Sequence, residues 1–145
     1  MAMNSALQYI KMLVRRYRLT LVVGVAILYL CLFKPPHVSV LDGIPHIDKV
    51  VHALMYVVLC SLLWLERQTS GGEISVRWSL LWAIGMPIAL GGVIELAQEY
   101  LTASRSGDWL DLAADAVGVL IAAAAGPTLT ARAVRKHKAG SKNSL

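Results

Sequence analysis

Asp48, Lys49 and His52 open one hydrophobic segment of this chain, Glu95, Gln98 and Glu99 close the next, and Arg105, Asp108, Asp111 and Asp115 open the one after that. Ionisable groups are costly inside a bilayer, so three apolar segments that each gather theirs at one end imply a shared site. The spacing within each cluster is helical: Asp48 precedes His52 by four, with Tyr56 a further turn inward. Glu95 precedes Gln98 by three and Glu99 by four, and Asp111 precedes Asp115 by four. Residues at these intervals share a helix face, so each cluster presents one polar stripe to a common centre.

Such a centre can do several kinds of chemistry. His52, Glu95 and Asp111 are the candidate proton-transfer groups, because an imidazole and neighbouring carboxyls exchange protons near neutral pH. Lys49 and Arg105 can hold the anionic oxygens of a headgroup, with Asp48, Tyr56, Gln98, Asp108 and Asp115 as further ligand contacts. Whether any reaction is catalysed stays open. A purely structural network is the competing expectation, with Arg105 or Lys49 paired to Glu95 and Asp115 and His52 bridging them. Asp, His and Glu also suit a metal ion. However, no short His-x-x-x-His or Cys-x-x-Cys pair makes that signal specific, so no metal ligand is assigned and no cofactor is named.

Some of these acids have a simpler use. A helix that starts at this end exposes unpaired amides and the positive end of its dipole, so Asp48 and Asp108 can be N-terminal caps. Asp111, three residues after Asp108, then stands where a capping box carries Glu. His52 and Asp115 lie one to two turns further in, roughly 6 to 10 Å at about 1.5 Å per residue, beyond the reach of a cap. Glu95 sits about a turn inside a helix C-terminus, the unfavourable end for a negative charge. These three need partners. Glu99 and His46, nearer the water, are expected to be solvated.

The elements that must position these groups are membrane helices. The chain has 145 residues, 57% of them hydrophobic and 16% charged, with a mean hydropathy of +0.59. That is too apolar for a soluble domain of this size, and the apolar residues fall in blocks. Four spans are expected, roughly Leu19 to Phe33, Val50 to Leu65, Trp78 to Ala97 and Leu110 to Leu129. The first two are short for a crossing of about 20 residues and need snorkelling flanks to complete them. The fold class is therefore all-α: a polytopic bundle of four transmembrane helices (19–130), preceded by an amphipathic segment (1–18) and followed by a basic tail (131–145). The tail is expected to lose order beyond one helical turn.

Lys11, Arg15, Arg16 and Arg18, then Arg67 and Arg77, then Arg132, Arg135, Lys136, Lys138 and Lys142 fall on one side of such a bundle; Lys34, Lys49 and Arg105 fall on the other. Eleven against three places both termini in the cytoplasm. The formal charge of +5 then reads as topology and attraction to anionic lipid, with no nucleic-acid partner required. No small-residue cleavage site follows the first apolar run, so it reads as an uncleaved helix. Cys31 and Cys60 read as buried thiols. Pro87 should kink the third span. Ala114, Gly118, Ala122 and Gly126 form a small-residue stripe for close helix approach, to a helix of this chain or of a second copy.

The scattered set Asp48, Lys49, His52, Tyr56, Glu95, Gln98, Arg105, Asp108, Asp111 and Gly118 resembles the VanZ-like family of small bacterial membrane proteins, named for a teicoplanin-resistance protein. The resemblance covers residues 48 to about 125. It implies a multi-helix protein of the bacterial cytoplasmic membrane and a link to glycopeptide tolerance, with no agreed activity, cofactor or substrate. The family pattern most often carries Asn at the position of Asp115, so this chain has an additional acid there or holds it protonated. The expected function is an outward-facing pocket that binds or modifies the headgroup of a membrane lipid or a lipid-linked envelope precursor. The alternative is a non-catalytic accessory protein whose polar network only fixes helix packing. Homo-oligomerisation is open.

Overall fold

The computed structural model describes residues 2–33, 45–71, 73–102 and 106–142, and every regular element among them is helical. Helix α1 (Ala2–Arg16) is amphipathic, with Leu7, Ile10 and Val14 exposed and Arg15 and Arg16 in its last turn. Such a helix suits the membrane surface better than its interior. The chain turns at Tyr17 into α2 (Arg18–Leu32). Then come α3 (Ile47–Thr69), α4 (Val76–Leu101) and α5 (Trp109–Lys142).

Three helices are long and apolar enough to cross a membrane: α3 with 23 residues, α4 with 26, and α5 over the 24 residues Trp109–Arg132. Helix α2 has 15 residues, about 22 Å at about 1.5 Å per residue, which is short of a hydrocarbon core of about 30 Å. The four-span expectation is therefore met by three helices. Even so, α2 runs between both polar levels of the bundle. Leu19 and Thr20 at its start meet Glu66 of α3, and the Cys31 carbonyl at its end accepts from Gln98 of α4.

Helices α3 and α5 run parallel and pack most closely, with α4 antiparallel beside them. The small-residue stripe explains the approach: a Cβ on Gly118 would collide with the Ala53 backbone, and one on Gly126 would lie 2.7 Å from the Trp64 ring. The stripe thus meets a helix of its own chain. Ile27 and Cys31 of α2, Tyr56, Leu59 and Cys60 of α3, Ile94 of α4, and Val119 and Ala122 of α5 form the core.

Two expectations about proline and the tail are revised. The disturbance from Pro87 is taken up just ahead of it, as a π-helical stretch over Ser79–Gly85 in which the Met86 amide donates to Leu81 O. A proline lacks its own donor and crowds the preceding turn, and the wider turn relieves both. Helix α5 continues through Pro127 to Lys142 rather than ending near Thr130. Gln68 donates to Pro127 O at 3.1 Å, and Thr130 Oγ1 donates to Gly126 O at 2.6 Å, so side-chain hydrogen bonds tie down the turn around the proline. The alanines and long basic side chains that follow are good helix formers, and cations suit a helix C-terminus.

Candidate polar site at the Lys49 end of the bundle

Helix α3 begins after His46, whose backbone is left-handed at φ 57°. Its first two turns carry Asp48, Lys49 and His52. Asp48 does not cap the helix; its carboxylate accepts from Lys49 Nζ at 2.7 Å. The same ammonium meets Asp111 Oδ1 of α5 at 2.6 Å and the Asp108 carboxylate. Lys49 is thus a tripod that ties the starts of two parallel helices together. It holds Asp108, just outside the first turn of α5, below the ordinary carboxylate range through their hydrogen bond.

Asp108 is the expected cap, with Oδ1 accepting from Leu110 N at 2.8 Å. The other half of the capping box is filled from a different helix. Asp111 is turned to Lys49, and the Asp108 amide donates to Glu95 Oε2 of α4 at 2.6 Å. Glu99 Oε2 likewise accepts from Gly107 N at 3.0 Å, so Glu99 is not merely solvated. The chain passes so near α4 here that a Cβ on Gly107 would lie 2.7 Å from Glu95 O.

Beneath this rim lies a buried centre. His52, Glu95 and Asp115 are 5%, 2% and 1% exposed. His52 Nδ1 contacts Asp115 Oδ1 at 3.0 Å, and His52 Nε2 lies 3.7 Å from Asp111 Oδ2. Glu95 Oε1 is buried with no hydrogen-bond partner among the described residues. Gly91 leaves room for Asp115 and Tyr56: a Cβ there would meet Asp115 Oδ2 at 2.7 Å and the Tyr56 hydroxyl at 3.2 Å.

The structure therefore brings together Asp48, Lys49, His52, Tyr56, Glu95, Asp108, Asp111 and Asp115 from three helices. Lys49 does not make the expected pairing with Glu95 or Asp115, because it is held by Asp48, Asp108 and Asp111, and no other lysine or arginine among the described residues reaches those two acids. Gln98 is directed away from the acids and donates to Cys31 O at 2.8 Å, which fastens α4 to α2. Arg105 lies outside the described residues. Five carboxyl groups thus surround one ammonium and one imidazole. Asp48 and Asp108 stand at the exposed rim, whereas Glu95 and Asp115 are buried and need a partner at their own depth.

One acid of the opposite end escaped sequence reasoning. Glu66 of α3, 7% exposed, accepts from Leu19 N at 2.8 Å, Thr20 N at 3.1 Å and Thr20 Oγ1 at 2.7 Å, and so caps α2 from another helix. The available signal was a Glu directly at the end of an apolar run, together with a helix start lacking a cap of its own.

No family model, curated protein or solved structure matches this chain, so the site is read on its own chemistry. Exposed aromatic residues surround this end: Tyr100 and Trp109 are 78% and 68% exposed, and Tyr29 stacks on Phe33 at 5.0 Å. Rings of this kind favour the headgroup level of a bilayer.

Proposed function

We propose that this chain is a VanZ-like integral membrane protein of the bacterial cytoplasmic membrane, with α2 as a fourth crossing and both termini in the cytoplasm. Its polar end faces outward and takes the headgroup of a membrane lipid or of a lipid-linked envelope precursor. The observation that carries this reading is the His52–Asp115 contact with the unpartnered Glu95 oxygen beside it, just below a collar of exposed aromatics. A buried carboxylate oxygen without a partner calls for one, and a headgroup hydroxyl or amine at this site supplies it. Asp115 fixes the imidazole, leaving His52 and Glu95 to exchange a proton with a headgroup hydroxyl or amine. Lys49 is already shared among three carboxylates, so anionic oxygens reach it by displacing one of them. The link to glycopeptide tolerance rests on the resemblance alone.

Native mass spectrometry of gently extracted protein tests this reading. The wild type should retain a lipid or lipid-linked species that His52→Ala and Glu95→Gln lose while their membrane abundance stays normal. Equal retention by all three rejects it.

A second reading has its own support. Glu66 shows that a buried glutamate of this chain can act wholly as a cap, and Glu95 Oε2 plays the same part toward Asp108. In that case the chain is an accessory membrane protein, and Glu95→Gln lowers abundance much as Glu66→Gln does, without a change in bound lipid.

A further inference from the structure

We infer that His52, Glu95 and Asp115 form a binding site for one divalent transition-metal ion. The inference rests on reading this cluster as a ligand site rather than a helix cap, and it adds the ion to that reading.

One ligand atom from each of the three side chains lies within 4.8 Å of the other two, and all three residues are buried. Donor atoms that share one ion at about 2.0–2.2 Å stand roughly 3 to 3.5 Å apart. The His52 Nδ1 to Asp115 Oδ1 separation of 3.0 Å already meets that condition. Glu95 supplies the independent sign of a missing ligand, since its Oε1 is buried and has no hydrogen-bond partner among the described residues. Closing the 4.8 Å trio by roughly 1 Å would complete a set of one nitrogen and two oxygens.

The surroundings suit a metal as well. A ligating histidine usually gives its second ring N–H to a carboxylate, which fixes the ring and raises its basicity. His52 Nε2 faces Asp111 Oδ2 at 3.7 Å, and Asp111 is itself held by Lys49 at 2.6 Å. The chain therefore carries the outer carboxylate and a cation to anchor it. The other acidic trio, Asp48, Asp108 and Asp111, is different: the Lys49 ammonium already occupies its centre. Imidazole with two carboxylates is a borderline-to-hard donor set, which fits Zn2+ or Mn2+ rather than Ca2+ or Cu+. Motif spacing within one helix cannot reveal the site, because each ligand comes from a different helix.

The full chain in detergent would be stripped with chelator and titrated separately with Zn2+ and Mn2+, and bound metal measured by elemental analysis and native mass spectrometry. The expected result is one ion per chain, with affinity reduced at least 100-fold in Glu95→Gln and Asp115→Asn and unchanged in Glu66→Gln, a buried carboxylate at the far end. Pulsed electron paramagnetic resonance of the Mn2+-loaded wild type requires no substitution, so it stays informative if a variant fails to fold. It should show coupling to a histidine nitrogen that disappears in His52→Gln and persists in His46→Gln. Overturning results are no stoichiometric metal, equal binding by Glu95→Gln, or no nitrogen coupling. The native mass spectra also report lipid, so metal without lipid rejects only the headgroup reading, and lipid without metal rejects only this one.

Discussion

Glu95 of α4 accepts the backbone amide of Asp108 at 2.6 Å, so the last turns of one helix close the first turn of the next. A single carboxylate thereby joins the fold to the site: Oε2 secures the helix start, Oε1 has no hydrogen-bond partner among the described residues, and the group offers a ligand atom within 4.8 Å of those of His52 and Asp115. The two oxygens should be separable by mutation. Glu95→Gln keeps one acceptor for the amide and loses the charge, and Glu95→Ala loses both. In thermal unfolding, Glu95→Ala should be the less stable of the two by about 1 kcal/mol or more, the usual worth of a cap.

The His52–Asp115 contact should show measurable coupling. Removing either partner leaves a buried polar group alone at a cost of about 2–3 kcal/mol, and a double replacement should cost less than the two single ones together. A cycle of His52→Leu, Asp115→Leu and the pair, read by unfolding in detergent, should give coupling above about 1 kcal/mol. Strict additivity would mean that the two side chains do not interact.

Glu66 accepts two amides and a hydroxyl at the start of α2. Glu66→Ala should destabilise the chain by about 2–3 kcal/mol, because buried donors lose a charged acceptor. Lipid and metal retention should be unaffected in the folded fraction. Loss of bound metal at normal stability would show that the two ends of the bundle are coupled.

Gly118→Leu should abolish accumulation in the membrane, since even a Cβ meets the Ala53 backbone. The matched control is Gly92→Ala, where a Cβ meets nothing within 4 Å. There the better helix propensity of alanine should leave abundance equal or slightly raised, by up to about 1 kcal/mol in stability. Quantitative immunoblotting of membranes reads both.

Acidification should loosen the rim in a defined direction. Lys49 depresses the Asp108 carboxyl, so this group's contribution is fully present above its unfolded value of about 4 and is lost as pH falls through its lower folded value. The wild-type unfolding temperature should therefore fall below about pH 4. Asp108→Asn should start lower and lose less over that window. Equal slopes would remove Asp108 from the acid response.

The number of crossings decides where the termini lie. If α2 spans, reporters fused to the N- and C-termini report the same side of the membrane. If only α3, α4 and α5 span, they report opposite sides. The expected outcome is the same side, both cytoplasmic.

Much of this was legible in one dimension. Blocks of apolar residues announce membrane helices because a bilayer leaves the backbone no other partner, and spacings of three and four place Asp48 with His52 and Asp111 with Asp115 on single faces. The capping role of Asp108 was equally local, since a helix start needs an acceptor within two residues. Pairing between helices was not legible, because it depends on rotation and relative depth, which spacing within one helix does not encode. Only the packed structure gives Lys49 to three aspartates, sends Gln98 to Cys31, turns the Gly118 stripe onto Ala53 of the same chain, and sets Glu66 as the cap of a helix 46 residues away. The chain by itself determined which groups must leave lipid and on which helix face each stands. The tertiary structure decided which of them meet, because burying a charge is tolerable only where another helix brings its partner to the same depth.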